Sequence, residues 1–191
     1  MNMLSKAELR QQLLQWRIAL SQTEVHKRSQ CIIEQLKAVV SWDHVRSLHC
    51  YVPIGRNNEI DTTDLFQYVW QQWPDIHTAV PVMRRGQLCS MLVDSTTEWH
   101  EGSYHTLEPA VGEELPDNHK FDLVVVPMLG YNSQGYRIGY GGGHYDRFLT
   151  HQLRAQTIGI CYQEGLAVFS PEPHDVPLQQ VITEVGLQRL G

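Results

Sequence analysis

Phe121-Asp122-Leu123-Val124-Val125-Val126-Pro127 is the stretch from which the fold can be read. Its run of four apolar residues, Leu123 to Val126, predicts a strand buried on both faces, as at the centre of a parallel sheet. Two further runs have the same character: Leu48-His49-Cys50-Tyr51-Val52, stopped by Pro53 and Gly55, and Thr157-Ile158-Gly159-Ile160-Cys161-Tyr162. After the first of these, Asp61 is a good N-cap for a helix from Thr62 to Trp73 with Leu65, Phe66, Val69 and Trp73 inward. A strand at Ile76 to Val82, interrupted at Pro81, and a third at Leu88 to Val93 follow. Strand, helix and strand joined by parallel connections predict an α/β fold, a three-layer α/β/α sandwich around a mostly parallel sheet.

Outward from that core, the N-terminus carries two capping boxes, Ser5-Lys6-Ala7-Glu8 and Ser21-Gln22-Thr23-Glu24. Leu9, Leu13, Trp16 and Leu20 recur at helical spacing after the first. Val25, Ile32, Ile33, Leu36 and Val39 or Val40 do so after the second. The expectation is one domain, 1–191, led by a helical pair over about 5–40. Asp94 to Lys120 loses its period and reads as a long loop, which in a domain of this size usually covers or serves something. Tyr104 and His105 in its middle read either as lid contacts or as ordinary packing. Gln180 to Thr183 and Val185 to Leu190 close the chain as short strands.

The composition excludes several classes of function. A formal charge of −6 argues against a general binder of nucleic acid or membrane surfaces, which needs a basic face. No apolar run approaches the roughly 20 residues that span a bilayer, and the polar start does not resemble a secretory signal. Cys31, Cys50, Cys89 and Cys161 are scattered without C-x-x-C spacing, which predicts reduced thiols in a cytoplasmic protein. The ten histidines show no zinc-binding spacing.

The chemistry gathers in Arg137-Ile138-Gly139-Tyr140-Gly141-Gly142-Gly143-His144-Tyr145-Asp146-Arg147-Phe148-Leu149, where four glycines fall within five positions. Glycines at the mouth of a helix leave amide N–H groups unshielded, and the helix N-terminus adds partial positive charge, so the segment suits a phosphate. Neither the dinucleotide fingerprint nor the P-loop pattern is present, and a plain hinge stays open. Arg137 and Asp146 favour the phosphate, because phosphoryl transfer needs a cation and a carboxylate for Mg²⁺. Asp146 also suits the first turn of a helix for its dipole alone. Lys6 and Arg10, four apart on one helical face, read as a solvated stripe or as an anion contact.

Taken together, Phe121 to Pro127 and then Gly135-x-Arg137-Ile138-Gly139-Tyr140-Gly141-Gly142-Gly143-x-Tyr145-Asp146-Arg147-Phe148-Leu149 resemble the 5-formyltetrahydrofolate cyclo-ligase family. Lys6-x-x-x-Arg10, Asn58-Glu59-Ile60-Asp61-Thr62, His174-Asp175-Val176-Pro177-Leu178 and Val181-Ile182-Thr183-Glu184 resemble other family landmarks, in the same order. The resemblance implies a cytoplasmic enzyme that uses MgATP to convert 5-formyltetrahydrofolate to 5,10-methenyltetrahydrofolate through a phosphorylated formyl group. It implies an ATP site from Lys6, Arg10 and the run Arg137, Ile138, Gly139, Tyr140, Gly141, Gly142, Gly143, His144 and Tyr145, with Arg137 acting on the transferring charge. It implies folate contacts by Ile54, Glu59, Tyr104 and Tyr140 to His144, and Mg²⁺ ligation by Asp146 and Asp175. Small-molecule substrates are expected, with no nucleic-acid or membrane partner, on a monomer or weak homo-oligomer. Tyr131-Asn132, His144 and Gln179 depart from the family pattern of Phe-Asp, an aromatic and an aspartate. Two rivals remain at this stage: a binding module of the family without turnover, and a kinase-like enzyme acting on another small carbonyl compound.

Overall fold

The computed structural model describes residues 4–102 and 106–190. Helix α1 (Lys6–Ile18) opens with the predicted capping box, both of its hydrogen bonds formed between Ser5 and Glu8. The second box is half made. The Ser21 side chain caps α2 (Gln22–Val39), while Glu24 bonds to Arg28 one turn on. A helix α3 (Thr63–Gln72) follows strand β1 (Ser47–Cys50), and Asp61 Oδ1 accepts the Thr63 amide at 2.9 Å.

Strand β7 (Leu123–Pro127) lies inside an eight-stranded sheet of order β12-β11-β10-β7-β1-β2-β3-β6. The others are β2 (His77–Arg84), β3 (Gln87–Val93), β6 (Glu114–Leu115), β10 (Gln156–Ile160), β11 (Gln180–Thr183) and β12 (Gly186–Arg189). The pairs β2–β1, β1–β7, β7–β10 and β10–β11 are parallel. Leu123, Val124, Val125 and Val126 have no exposed surface, the burial their unbroken apolar run predicts. One face of the sheet packs Leu48, Cys50 and Leu123 against Ile32, Leu36, Leu65 and Val69 of α2 and α3. The other face packs Ala79, Val124 and Val126 with Leu149 of the short helix α4 (His144–Leu149). The third layer is therefore thin, with one six-residue helix rather than a matched pair.

Three readings from sequence are corrected. Pro81 does not interrupt β2, which runs on to Arg84; β1 accompanies it only as far as Ala79, so Pro81 lies beyond the doubly paired part. Strand β3 returns antiparallel to β2 through a two-residue turn, with Arg85 at φ 50° and Gly86 at φ 80°. The stretch read as an aperiodic loop from 94 to 120 contains β6 and an antiparallel pair, β4 (Trp99–Glu101) with β5 (Leu107–Pro109). Tyr104 and His105, the candidate lid residues, lie outside the described residues. Cys31, Cys50, Cys89 and Cys161 are all free thiols. Among the described residues no helix is long and apolar enough to cross a membrane.

Candidate active site

Helix α1 lies across the loops that leave the C-terminal ends of β1, β7 and β10. Its Arg17 bonds to the carbonyls of Asn57 and Met128, and its Trp16 meets the ring of Tyr162 edge-on at 5.8 Å. Open α/β sheets place ligands at these strand ends. The glycine segment runs beneath the same helix. A small hairpin of β8 (Gly130–Tyr131) and β9 (Arg137–Ile138) delivers it.

At one end of the segment the groups are ionic. The Arg137 Nη2 atom stands 2.6 Å from Asp146 Oδ1, and its Nη1 donates to the Val176 carbonyl at 2.7 Å. Asp146 Oδ1 also accepts the Val176 amide at 3.1 Å, so the acid and the arginine hold the backbone of the same residue through its N–H and its carbonyl. Burial pulls Arg137 below the usual arginine range, opposed by the charges of Asp146 and Asp175. Although Nη2 is close to Asp146, its N–H groups are not aimed at any acceptor among the described residues. A buried cation with a spare donor suits an incoming anionic oxygen.

Asp175, the residue before Val176, receives Lys6 Nζ on both oxygens at 2.8 and 2.7 Å and the Glu172 amide at 2.7 Å. Burial alone would raise this carboxyl. The Lys6 ammonium, the Glu172 amide and His174 outweigh it and hold Asp175 below the ordinary aspartate value. Glu172, His174 and Asp175 offer ligand atoms within 4.8 Å of one another. The carboxylate oxygens of Glu172 and Asp175 fit Mg²⁺ in kind, whereas the His174 nitrogen is a softer donor that this ion does not favour. Lys6 and Arg10 resolve differently. Lys6 faces Asp175, whereas Arg10 Nε donates to the Gly139 carbonyl at 2.7 Å and leans over Gly141. Neither belongs to a purely solvated stripe.

At the other end the groups are buried. Glu59 is only 5% exposed; its Oε2 accepts the Ile54 amide at 2.7 Å and its Oε1 accepts the Tyr140 hydroxyl at 2.6 Å. Burial raises the Glu59 carboxyl, against the pull of Arg17, Tyr140 and the Ile54 amide. Tyr140 remains 43% exposed, so its ring faces solvent while its hydroxyl is tethered. Next to Glu59, Asn58 sits at φ 49° with its Nδ2 donating to the carbonyls of Arg17, Ile18 and Leu20. That contact ties the loop to the end of α1 and satisfies carbonyls that the helix leaves open.

Several predicted contacts fall elsewhere. The Ile138 side chain is fully buried with Leu129 and Phe169, leaving only its backbone for a ligand. The Tyr145 hydroxyl is buried without a hydrogen-bond partner among the described residues, and its ring packs with His49 and Phe148. His144 turns its ring over Gly142 and meets Arg147 Nη2 at 3.0 Å, toward a cavity of about 210 Å³ that Leu88, His119 and Phe148 also line. Arg17 and Asn57 touch the Tyr140 hydroxyl and Glu172 touches Lys6, and none of the three was singled out from sequence. For Arg17 a signal existed, because it continues the Lys6 and Arg10 face of α1 at the seven-residue spacing.

The profile of the 5-formyltetrahydrofolate cyclo-ligase family matches residues 2–184. A 5-formyltetrahydrofolate cyclo-ligase of Mycoplasma pneumoniae is 29% identical over 183 residues, covering 95% of this chain and 99% of that protein. One from Haemophilus influenzae is 24% identical, over 95% of this chain and 99% of that one. The solved 5,10-methenyltetrahydrofolate synthetase of Aquifex aeolicus superposes with a TM-score of 0.83 at 28% identity, covering 97% of this chain and 92% of its own. With strand order, glycine segment and both acid clusters in place, the chain belongs to the 5-formyltetrahydrofolate cyclo-ligase family.

Proposed function

We propose that this chain converts 5-formyltetrahydrofolate and ATP to 5,10-methenyltetrahydrofolate, ADP and phosphate. The formyl oxygen takes the γ-phosphoryl group, N10 attacks the activated carbon, and the phosphate leaves with that oxygen. No protein nucleophile is needed, and the protein's part is to position two substrates and balance charge. Within this reading Arg137 offers its spare N–H to the transferring phosphoryl, and the Gly139 to Gly143 backbone walls the nucleotide. Asp146 and Asp175 are the residues that would hold Mg²⁺, which when bound neutralises phosphate charge. Glu59 accepts the N–H donors of the pterin, and the exposed face of Tyr140 separates it from the phosphates.

One observation carries this reading. Within ten residues the chain places Arg137 on Asp146 at 2.6 Å and Tyr140 on Glu59 at 2.6 Å. A phosphate-type cluster and a carboxylate suited to a pterin thus share one short wall. The test is the rise of methenyltetrahydrofolate absorbance when 5-formyltetrahydrofolate and MgATP are added. Turnover dependent on both is expected. Binding of the folate without turnover would overturn the enzymatic reading, and ATP hydrolysis indifferent to folate would overturn the substrate.

A further inference from the structure

We infer that Arg17 is the positioning residue of the folate end: it fixes the Tyr140 hydroxyl on Glu59 and sets a positive charge beside that carboxylate. The inference rests on the proposed reading of Glu59 as the pterin's acceptor. Arg17 is a charged residue in the last turn of α1, yet only 4% of it is exposed. Taking a guanidinium out of water is costly unless its donors are met. Here Nε donates to the Asn57 carbonyl at 2.7 Å and Nη1 to the Met128 carbonyl at 3.3 Å. These two bonds join the loop after β1 to the loop after β7, and they are structural.

The third arm does something else. Nη2 donates to the Tyr140 hydroxyl and stands 3.8 Å from Glu59 Oε1. The hydroxyl also accepts Asn57 Nδ2 at 3.2 Å, so its own proton is directed to Glu59. Because two donors fill its acceptor positions, the phenol has one orientation. Glu59 therefore meets a ligand with one oxygen already engaged by Tyr140 and the other by the Ile54 amide, and its plane is set. The ionisable groups near enough to act on Glu59 are Arg17 from α1, Tyr140 from the glycine segment, Tyr51 just after β1 and Tyr145 from α4. Three of these four are phenols, so Arg17 supplies the counter-charge.

The experiment compares Arg17→Met, Arg17→Lys and Tyr140→Phe in the full chain, measuring KM for folate and for ATP between pH 5 and 8. Arg17→Met is expected to raise the folate KM on the order of 10-fold with ATP KM within about twofold, and more steeply as pH falls. Arg17→Lys should recover most of that loss by returning charge, though without the planar fork. In the Tyr140→Phe background, Arg17→Lys should cost less than it does alone, because the shared hydroxyl is gone. Equal rises in both KM values with an unchanged pH profile, or strict additivity with Tyr140→Phe, would reduce Arg17 to a brace between loops and overturn the inference. Should Arg17→Met not fold, the Arg17→Lys and Tyr140→Phe cycle decides alone. A ¹³C titration of the Glu59 carboxyl in the ligand-free chain separates the two layers. A higher midpoint in Arg17→Met, largely restored in Arg17→Lys, supports the inference even if the wild type proves inactive on 5-formyltetrahydrofolate, and an unmoved midpoint in Arg17→Met overturns it.

Discussion

The two ends of the glycine segment solve opposite electrostatic problems. Around Arg137 and Lys6, two cations face Asp146 and Asp175 at 2.6 and 2.7 Å, and Arg137 and Asp146 hold the carbonyl and the amide of Val176. Around Glu59, one acid is covered almost completely, with a phenol interposed between it and Arg17. Attraction exceeds burial at Asp175, whose carboxyl is lowered, and burial exceeds attraction at Glu59, whose carboxyl is raised. The first arrangement suits ligands that arrive with charge of their own. The second suits a neutral heterocycle, to which a poorly solvated carboxylate is a strong acceptor.

The largest effect is expected at the ionic end. Arg137→Gln should lower kcat on the order of 10²-fold or more with a smaller change in KM, since the lost interaction belongs to developing charge. Near-normal turnover would show Arg137 to be only a clamp on the Val176 carbonyl, and the ends would no longer differ in kind. Asp146→Asn should flatten the Mg²⁺ dependence. An unchanged metal titration would leave that acid as a partner of Arg137 and of the α4 N-terminus.

A stability comparison sharpens the contrast through its sign. Glu59 has a folded value above 4.5, so its contribution is fully present below pH 4.5 and is lost as pH rises through the folded value. Asp175 has a folded value below 3.8, so its contribution is present above pH 3.8 and is lost as pH falls through the folded value. The stability difference between wild type and Glu59→Gln should therefore shrink as pH rises from 4.5, and that between wild type and Asp175→Asn should grow as pH rises toward 3.8. Denaturant unfolding across pH measures both. Both variants keep His49, whose buried ring nitrogens have no hydrogen-bond partner among the described residues and whose value is pushed down to about 3 by burial. Its effect cancels in the differences. In the parent chain, it should remove about 1.4 kcal/mol per pH unit as pH falls from 6.5 toward 3. Parallel pH profiles for the two acid variants would erase the distinction between the ends.

Sequence alone carried the elements whose signal is local. Ser5 with Glu8, the helical spacing of Leu9 and Leu13, and the unbroken run Leu123 to Val126 each contain their own reason for the structure they form. What was missed depends on partners far along the chain. The turn at Arg85 and Gly86 puts an arginine at positive φ, where asparagine or glycine would have announced a hairpin. The β8–β9 ladder is only two residues long on each side. Arg17 touches Asn57, Met128 and Tyr140, up to 123 residues away, so its spacing from Arg10 put it on one helical face without showing what that face meets. The same holds for Glu59 and Tyr140, 81 positions apart: the resemblance brought both to the folate, but only the fold shows one covering the other.

The smallest expected effects come from the glycines between the two ends, and they separate backbone need from ligand need. Gly141 holds φ 96°, and a β-carbon there would lie 3.2 Å from the Arg10 guanidinium. Gly141→Ala should cost on the order of 1 kcal/mol in unfolding free energy, because the alanine cannot relax at that angle. Gly139 lies two residues earlier, and a β-carbon there would meet nothing within 4 Å. Gly139→Ala should leave Tm unchanged, since no atom has to move, yet raise the KM for ATP several-fold if the nucleotide packs on this wall. An unchanged KM would mean that ATP keeps clear of Gly139. The wall shared by the two ligands would then begin at Tyr140, and Arg10, bonded to the Gly139 carbonyl at 2.7 Å, would be bracing backbone rather than binding phosphate.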